Sequence, residues 1–440
     1  MNTGTNTQTN LLTQWAQHIV HIARSSLLTT NPCHISKVET IAGSRAGALE
    51  MMCGIHAGDM VKSLAKNDAA VLRQFIPWDF VGDPQVFMRN RYVRVEAGWP
   101  SHLSDTNVKL SSLNTRSKDS TRWAIGKSET GATISASLND RTAHYLISGT
   151  TGAGKSVAFH SAAVQLSRHP QNKLVLVDGK MGDSLHEIEH LPSVVAPCAT
   201  EGDEIRNALG WAVKETMHRC RNHERNSNSL IVMIDEFQEL VYDPIVVGLI
   251  KKLVSLGRST NVHCLLATQH PSVKTFGDEA IKRLLVGKLA LLVTDADASK
   301  VAVGGSYPRA DRLLGEGDGY IVVPGACHRV QTVLIDEHDI DATMNLRGGR
   351  QDYLFDEFPE YCAENNGQDI ETVKWHYTGN ELGSSVISAS EGDGRPALQD
   401  RLDSYGLGKP GSVRANRLLK MGRSAYELIQ DRGYHLMKTE

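Results

Sequence analysis

Apolar and polar positions change their period three times along the 440-residue chain. Near the start, Leu12, Trp15, Ile19, Ile22 and Ala23 recur three or four residues apart, which predicts an amphipathic helix over Leu11–Leu28. A second helical pattern spans Ala48–Lys66. Pro77, Gly82, Pro84 and Pro100 then punctuate short strand-like pieces such as Tyr92–Val95. From about residue 121, short apolar runs without alternation take over: His144–Ser148, Leu174–Asp178, Leu230–Asp235, His263–Thr268, Leu289–Thr294 and Tyr320–Val323. Runs of this kind suit strands buried on both faces. With helical patterns between them they predict a parallel α/β sheet.

After about residue 346 the charge balance changes. Arg350–Gly408 carries 12 acidic and 4 basic residues, and Lys409–Glu440 carries 7 basic and 3 acidic. The expected organisation is an N-terminal α+β assembly domain (1–120), an α/β domain (121–345), an acidic linker with some helix (346–408) and a basic tail (409–440). One core rarely grows past about 250–300 residues, so several domains fit the length.

The net charge of −3 gives no global polycationic signal, so any nucleic-acid site must be local. Seven widely spaced cysteines contain no CxxC pair, which argues against a disulfide framework or a zinc module and fits a reducing, cytoplasmic compartment. Met1–Ala23 lacks the basic start of a signal peptide, and no run of about 20 apolar residues exists to span a membrane.

The strongest local signal is Gly149, Thr150, Thr151, Gly152, Ala153, Gly154, Lys155 and Ser156, a full G-x-x-x-x-G-K-[ST] match. It follows an apolar strand and opens the helical Val157–Leu166, the context the motif requires. Glycines let successive backbone N–H groups close around phosphates at a helix N-terminus. Lys155 would reach the β- and γ-phosphates of ATP, and Ser156 would bind Mg²⁺. The strand Leu230–Ile234 is followed by Asp235, which would bind Mg²⁺ through water, and Glu236, a base for the attacking water; an ordinary acid-capped strand end is the plainer reading of that pair taken alone. His263–Thr268 leads to Gln269, placed to sense the γ-phosphate. Arg258 precedes that strand and is a candidate finger for a neighbour's ATP in a ring; taken alone, a solvated surface residue is its plainer reading.

Four segments together resemble the FtsK/SpoIIIE branch of the FtsK–HerA translocase superfamily. Ile125-Gly-Lys127 and His144-Tyr-Leu-Ile-Ser-Gly-Thr-Thr-Gly-Ala-Gly-Lys-Ser156 are similar to the family's entry into its phosphate loop. Leu174-Val-Leu-Val-Asp178-Gly-Lys180 resembles a D-P-K strand, with Gly179 in place of proline. Asp235-Glu-Phe237, Gly257-Arg258 and Ala267-Thr-Gln269-His-Pro271-Ser-Val273 follow the family order, with His270 where arginine is usual. Leu313-Leu-Gly-Glu-Gly-Asp318 resembles L-L-G-x-G-D.

The resemblance implies a RecA-like P-loop motor domain in a hexameric ring. Such a ring hydrolyses ATP between subunits and pulls double-stranded DNA through its pore. The family's usual N-terminal membrane anchor is not found, which suggests a motor serving a mobile element, with a membrane-anchored or mobile-element partner protein. Lys274, Lys282 and Arg283 are the candidate pore contacts to DNA phosphates, with a solvated helix face or an intersubunit ion pair as the alternative. The tail around Arg423, Ser424 and Tyr426 is similar to excisionase-type winged-helix modules and reads as a small helix-turn-helix or winged-helix-like DNA-binding unit, or as an assembly hairpin. Two other functions stay open: a protein-export motor on the same core, and a DNA-binding adaptor with an ATP-driven assembly switch.

Overall fold

The computed structural model describes residues 3–24, 34–54, 57–89, 91–115, 117–139, 141–180, 184–224, 228–272 and 276–346. The acidic linker and the tail, with Arg423, Ser424 and Tyr426, lie outside the described residues.

The first part of the chain runs α1 (Thr3–Arg24), β1 (Ile35–Ala42), β2 (Ala46–Cys53), α2 (Ala57–Phe75), β3 (Val81–Arg89) and β4 (Tyr92–Gly98). The four strands form an antiparallel sheet in the order β1-β2-β4-β3. Leu12, Trp15 and Ile19 of α1 and Met60, Leu64 and Leu72 of α2 join one core with Leu49, Met51, Val93 and Val95 of the sheet. The helix expected over Ala48–Lys66 is a strand followed by a helix. Leu49 and Met51 alternate with Glu50, Ala48 pairs with Ile41 and Glu96 on either side, and Gly54 separates β2 from α2. Inter-strand hydrogen bonds on both edges outweigh a helical tendency there. The same alternation puts Glu50, Arg94 and Glu96 on the sheet face away from the helices.

The second part runs β5 (Arg122–Ser128), β6 (Thr133–Ser137), β7 (His144–Ser148), α3 (Lys155–Ser167), β8 (Asn172–Asp178), α4 (Gly202–Arg221), β9 (Ser229–Asp235), α5 (Pro244–Thr260), β10 (Val262–Thr268), α6 (Glu279–Leu284), β11 (Gly287–Leu291), α7 (Ala296–Val303), β12 (Asp318–Val323), β13 (Ala326–Thr332) and α8 (Glu337–Asn345). They build a nine-stranded sheet in the order β6-β5-β13-β12-β11-β7-β10-β9-β8. Strands β11, β7, β10, β9 and β8 are mutually parallel. Every residue of β7, β9 and β10 is buried, which explains their unbroken apolar runs. Each fully buried Leu, Ile or Val contributes about 1.5–3 kcal/mol over an exposed one.

The sheet is mixed rather than all parallel: β12 pairs antiparallel with β11. The reason lies just before β12, where the Gly317 N–H donates to Ala153 O of the phosphate loop at 2.9 Å. That contact makes β12 begin at the end of the sheet where β7 finishes, so it must run the opposite way. A turn with Gly325 in the left-handed region (φ +83°) then returns the chain as β13.

Candidate functional site

The site lies at the carboxyl ends of the parallel strands, where open α/β sheets bind ligands. Strand β10 separates the phosphate-loop strand β7 from the acidic strand β9. Gln269, one residue beyond β10, therefore stands between the loop and the two acids.

The loop is fixed from several sides. Gly149 N–H donates to Thr268 O at 3.2 Å, Thr150 N–H to Leu292 O at 2.8 Å, and Ala153 N–H to Thr150 O at 3.0 Å. Gly152 and Gly154 adopt φ of +77° and +96°, the left-handed region where a side chain is strained. A Cβ on Gly154 would also come within 2.9 Å of Gly317 N. Lys155 and Ser156 then open α3.

Lys155 is buried, and its Nζ pairs with Asp235 Oδ1 and lies 3.4 Å from Glu236 Oε1. Asp235 and Glu236 are buried as well, so these charges are stabilised mainly by one another. Asp235 Oδ2 accepts from Ser184 Oγ at 2.9 Å. Glu236 has four partners: Lys155, Lys180 Nζ at 3.0 Å, and the amide groups of Gln238 and Gln269, which both donate to it. Its backbone sits at φ +49°, a strained conformation for a non-glycine residue, costing on the order of 1 kcal/mol or more. Gln269 also accepts from Thr151 Oγ1 at 3.3 Å, so one amide touches both the phosphate loop and Glu236.

Gly179, where the resemblance expects a proline, has a local reason. Its N–H donates to Asp235 O at 3.1 Å, and a Cβ there would sit 2.7 Å from Glu236 O. Proline has neither the N–H nor the space.

The geometry adds residues that carried no role in the sequence reading. Lys180, Ser184 and Gln238 all reach the acids directly. Asp178, at the end of β8, accepts from Lys180 N at 2.7 Å and from Ser184 Oγ at 2.9 Å, so it holds the chain that presents both. His160 of α3 contacts Ser184 O at 2.6 Å, and burial lowers its pKa. Gln238 had a signal: it follows Glu236 by two residues, but one sequence gives no reason to prefer it to Glu239.

The other candidates are elsewhere. Arg258 is exposed, in the last turn of α5, at the end of the sheet where β10 begins. β10 rises seven residues from there, roughly 20 Å, before reaching the site. Arg258 thus serves no phosphate of its own chain. Lys282 and Arg283 lie on α6; Arg283 is exposed and pairs with Glu279 at 2.8 Å. Lys274 falls outside the described residues. His270 is exposed at the surface just beyond Gln269.

Among the described residues no cluster of three or more His, Cys, Asp or Glu could hold a metal by itself. Mg²⁺ held with a nucleotide needs none, because one or two protein oxygens, water and substrate phosphates complete its shell. Ser156 and Asp235 supply that kind of donor set. Among the described residues no helix is long and apolar enough to cross a membrane.

Residues 107–225 match the family model FtsK/SpoIIIE family. The chain is 28% identical over 245 residues to the DNA translocase FtsK of Caldanaerobacter subterraneus subsp. tengcongensis, covering 50% of this chain and 34% of that protein. It is 30% identical over 222 residues to the DNA translocase FtsK of Borreliella burgdorferi, covering 44% of this chain and 28% of that protein. The chain thus spans about a third of the length of the curated relatives it matches. Among solved structures it is similar to the pCW3 conjugation coupling protein TcpA, in monomer form with ATPgS: TM-score 0.51, 17% identity, 77% of this chain and 99% of that one. At that identity the likeness shows the fold alone.

Proposed function

We propose that this chain, which carries an FtsK/SpoIIIE-family domain over residues 107–225, is an ATP-driven translocase of double-stranded DNA that works as a ring, hexameric by the family resemblance. The observation that carries the reading is Gln269, which joins Thr151 of the phosphate loop to the carboxylate of Glu236. One side chain is thereby able to report the state of the γ-phosphate to the base and to the loop beyond β10, which leads toward the basic residues Lys274, Lys282 and Arg283.

In the proposed cycle ATP binds across Gly149–Ser156, and Lys155 exchanges Asp235 for the β- and γ-phosphates. Ser156 and Asp235 would hold the metal. Mg²⁺ supplies neutralisation of the charge that builds on the phosphates. Glu236 accepts the proton of the attacking water, worth about 10²–10⁴ in rate for such a base. Arg258 of a neighbouring copy stabilises the transition state; its position at the far end of β10 from its own phosphate loop supports supply in trans. Release of phosphate then frees Gln269 and moves Lys274, Lys282 and Arg283 along the DNA backbone. These lysine and arginine contacts read charge and not sequence. DNA transfer or segregation for a mobile element, with a membrane-anchored or mobile-element partner, is the setting that fits best.

The test is displacement of a triplex-forming strand from linear duplex DNA. The full chain with ATP and Mg²⁺ should strip the third strand, and Lys155→Ala should not. Failure of the wild-type chain to strip it while hydrolysing ATP would remove the translocation step.

A further inference from the structure

Residues 315–317 form a bridge between the small sheet and the phosphate loop. Gly315, Glu316 and Gly317 adopt φ of +76°, +50° and +84°, three left-handed residues in a row. A non-glycine residue in such a run is held there by its surroundings. Glu316 N–H and Gly317 N–H donate to Gly152 O and Ala153 O at 3.4 and 2.9 Å, so this strained segment is the floor of the phosphate loop.

Two pins hold the segment, and both lead to the small sheet. The first is Arg45, in the hairpin between β1 and β2. It is only 6% exposed, and its guanidinium donates to Gly315 O at 3.1 Å and lies 3.7 Å from the Glu316 carboxylate. The second starts at Asp318, which accepts from Leu314 N–H at 2.9 Å and takes a two-pronged bond from Arg329 at 2.9 and 2.6 Å. Arg329 also pairs with Glu96 of β4 at 3.4 Å, and Glu96 takes bonds from Arg94 and from the Tyr320 hydroxyl. Asp318, Arg329, Glu96, Arg94 and Tyr320 are all at least nine-tenths buried. Burial alone would raise the Glu96 pKa, but Arg94 and Arg329 hold it below the usual carboxylate range.

Such an ion set is a poor way to gain stability, since apolar residues of the same volume do as well or better. What it supplies is one fixed register between two sheets.

We propose that Arg45 is a positioning residue for the phosphate loop: with the buried Asp318–Arg329–Glu96 set it locks residues 315–317 beneath Gly152 and Ala153, so the small sheet sets the loop's affinity for nucleotide. This rests on the reading of the loop as a nucleotide site. Arg45 touches no phosphate in this scheme and acts only through Gly315 and Glu316.

The test is binding of a fluorescent ADP analogue with Mg²⁺ to the full chain, paired with circular dichroism at the same temperature. Arg45→Gln should fold and bind about tenfold more weakly, as loss of one charged hydrogen bond implies. If Arg45→Gln fails to fold, Arg45→Lys replaces it: a single flexible donor should leave binding about threefold weaker. A folded Arg45 variant with wild-type affinity overturns the proposal, even if its melting temperature is lower, because that is the mark of a purely structural role. Absence of binding by the wild-type chain would instead overturn the nucleotide reading itself.

Discussion

Lys180 Nζ stands 3.0 Å from Oε1 of Glu236, on the β8 side of β9, whereas the lysine that the phosphate-loop motif supplies follows β7 on its other side. Glu236 is buried while the Lys180 side chain is 48% exposed, so the pair reaches from the acid to the mouth of the site. A cation in that position orients the carboxylate and not the phosphate chain. Lys180→Ala should lower kcat about tenfold and change the KM for ATP less than about threefold. A raised KM with unchanged kcat would make Lys180 a phosphate ligand.

Glu236→Gln removes the proposed base but keeps a group able to pair with Gln238 and Gln269. ATP binding should survive, and turnover should fall at least about 100-fold. Equilibrium binding and steady-state hydrolysis, measured on the same preparation, check both halves. Rapid hydrolysis by the variant would take Glu236 out of the base role.

Arg258 lies too far from its own phosphate loop to act there, so its role can be tested by mixing. Arg258→Ala and Lys155→Ala should each be inactive alone. Combined, they form interfaces in which one copy supplies the intact loop and its neighbour the intact arginine, and activity should return in part. No recovery in mixtures of the two, while each still assembles, would return Arg258 to the solvated surface.

His144 lies at the start of β7, 2% exposed, with Nδ1 accepting from Cys264 N–H at 3.0 Å. Burial, with His263 nearby, lowers its pKa to about 3. The unfolded chain binds this proton near pH 6.5 and the folded chain does not, so stability is fully present above pH 6.5 and falls as pH drops toward 3. Each such histidine contributes a slope of about 1.4 kcal/mol per pH unit. His160, also lowered by burial, adds to it. Between pH 7 and 5, His144→Asn should lose about 2 kcal/mol less than the wild type in denaturant unfolding. Equal losses would mean that His144 takes up its proton in the fold as readily as in the unfolded chain.

The sequence made the phosphate loop and the acidic strand legible because both are local: glycines at fixed spacing, and five apolar residues before Asp235. Gln269 was legible for the same reason, as the first residue past a buried strand. Arg45, Asp318, Arg329 and Glu96 were not, because their meaning is a contact across two sheets that no local period encodes. The antiparallel β12 was misjudged on similar grounds. Its apolar run looks like those of its parallel neighbours, and the bonds from Glu316 and Gly317 to the phosphate loop, which no local pattern encodes, fix its direction. Over Ala48–Cys53, helical spacing and strand alternation coincide, and pairing on both sides decided for the strand.

The central claim is that ATP turnover drives movement along duplex DNA. Steady-state hydrolysis should be measured on the full chain alone, with single-stranded DNA, and with linear duplexes of increasing length, with Lys155→Ala as control. The account predicts stimulation by duplex that grows with its length and vanishes in Lys155→Ala. Lysine-dependent turnover that is indifferent to duplex at every length would contradict it, and would favour a motor for a polypeptide substrate.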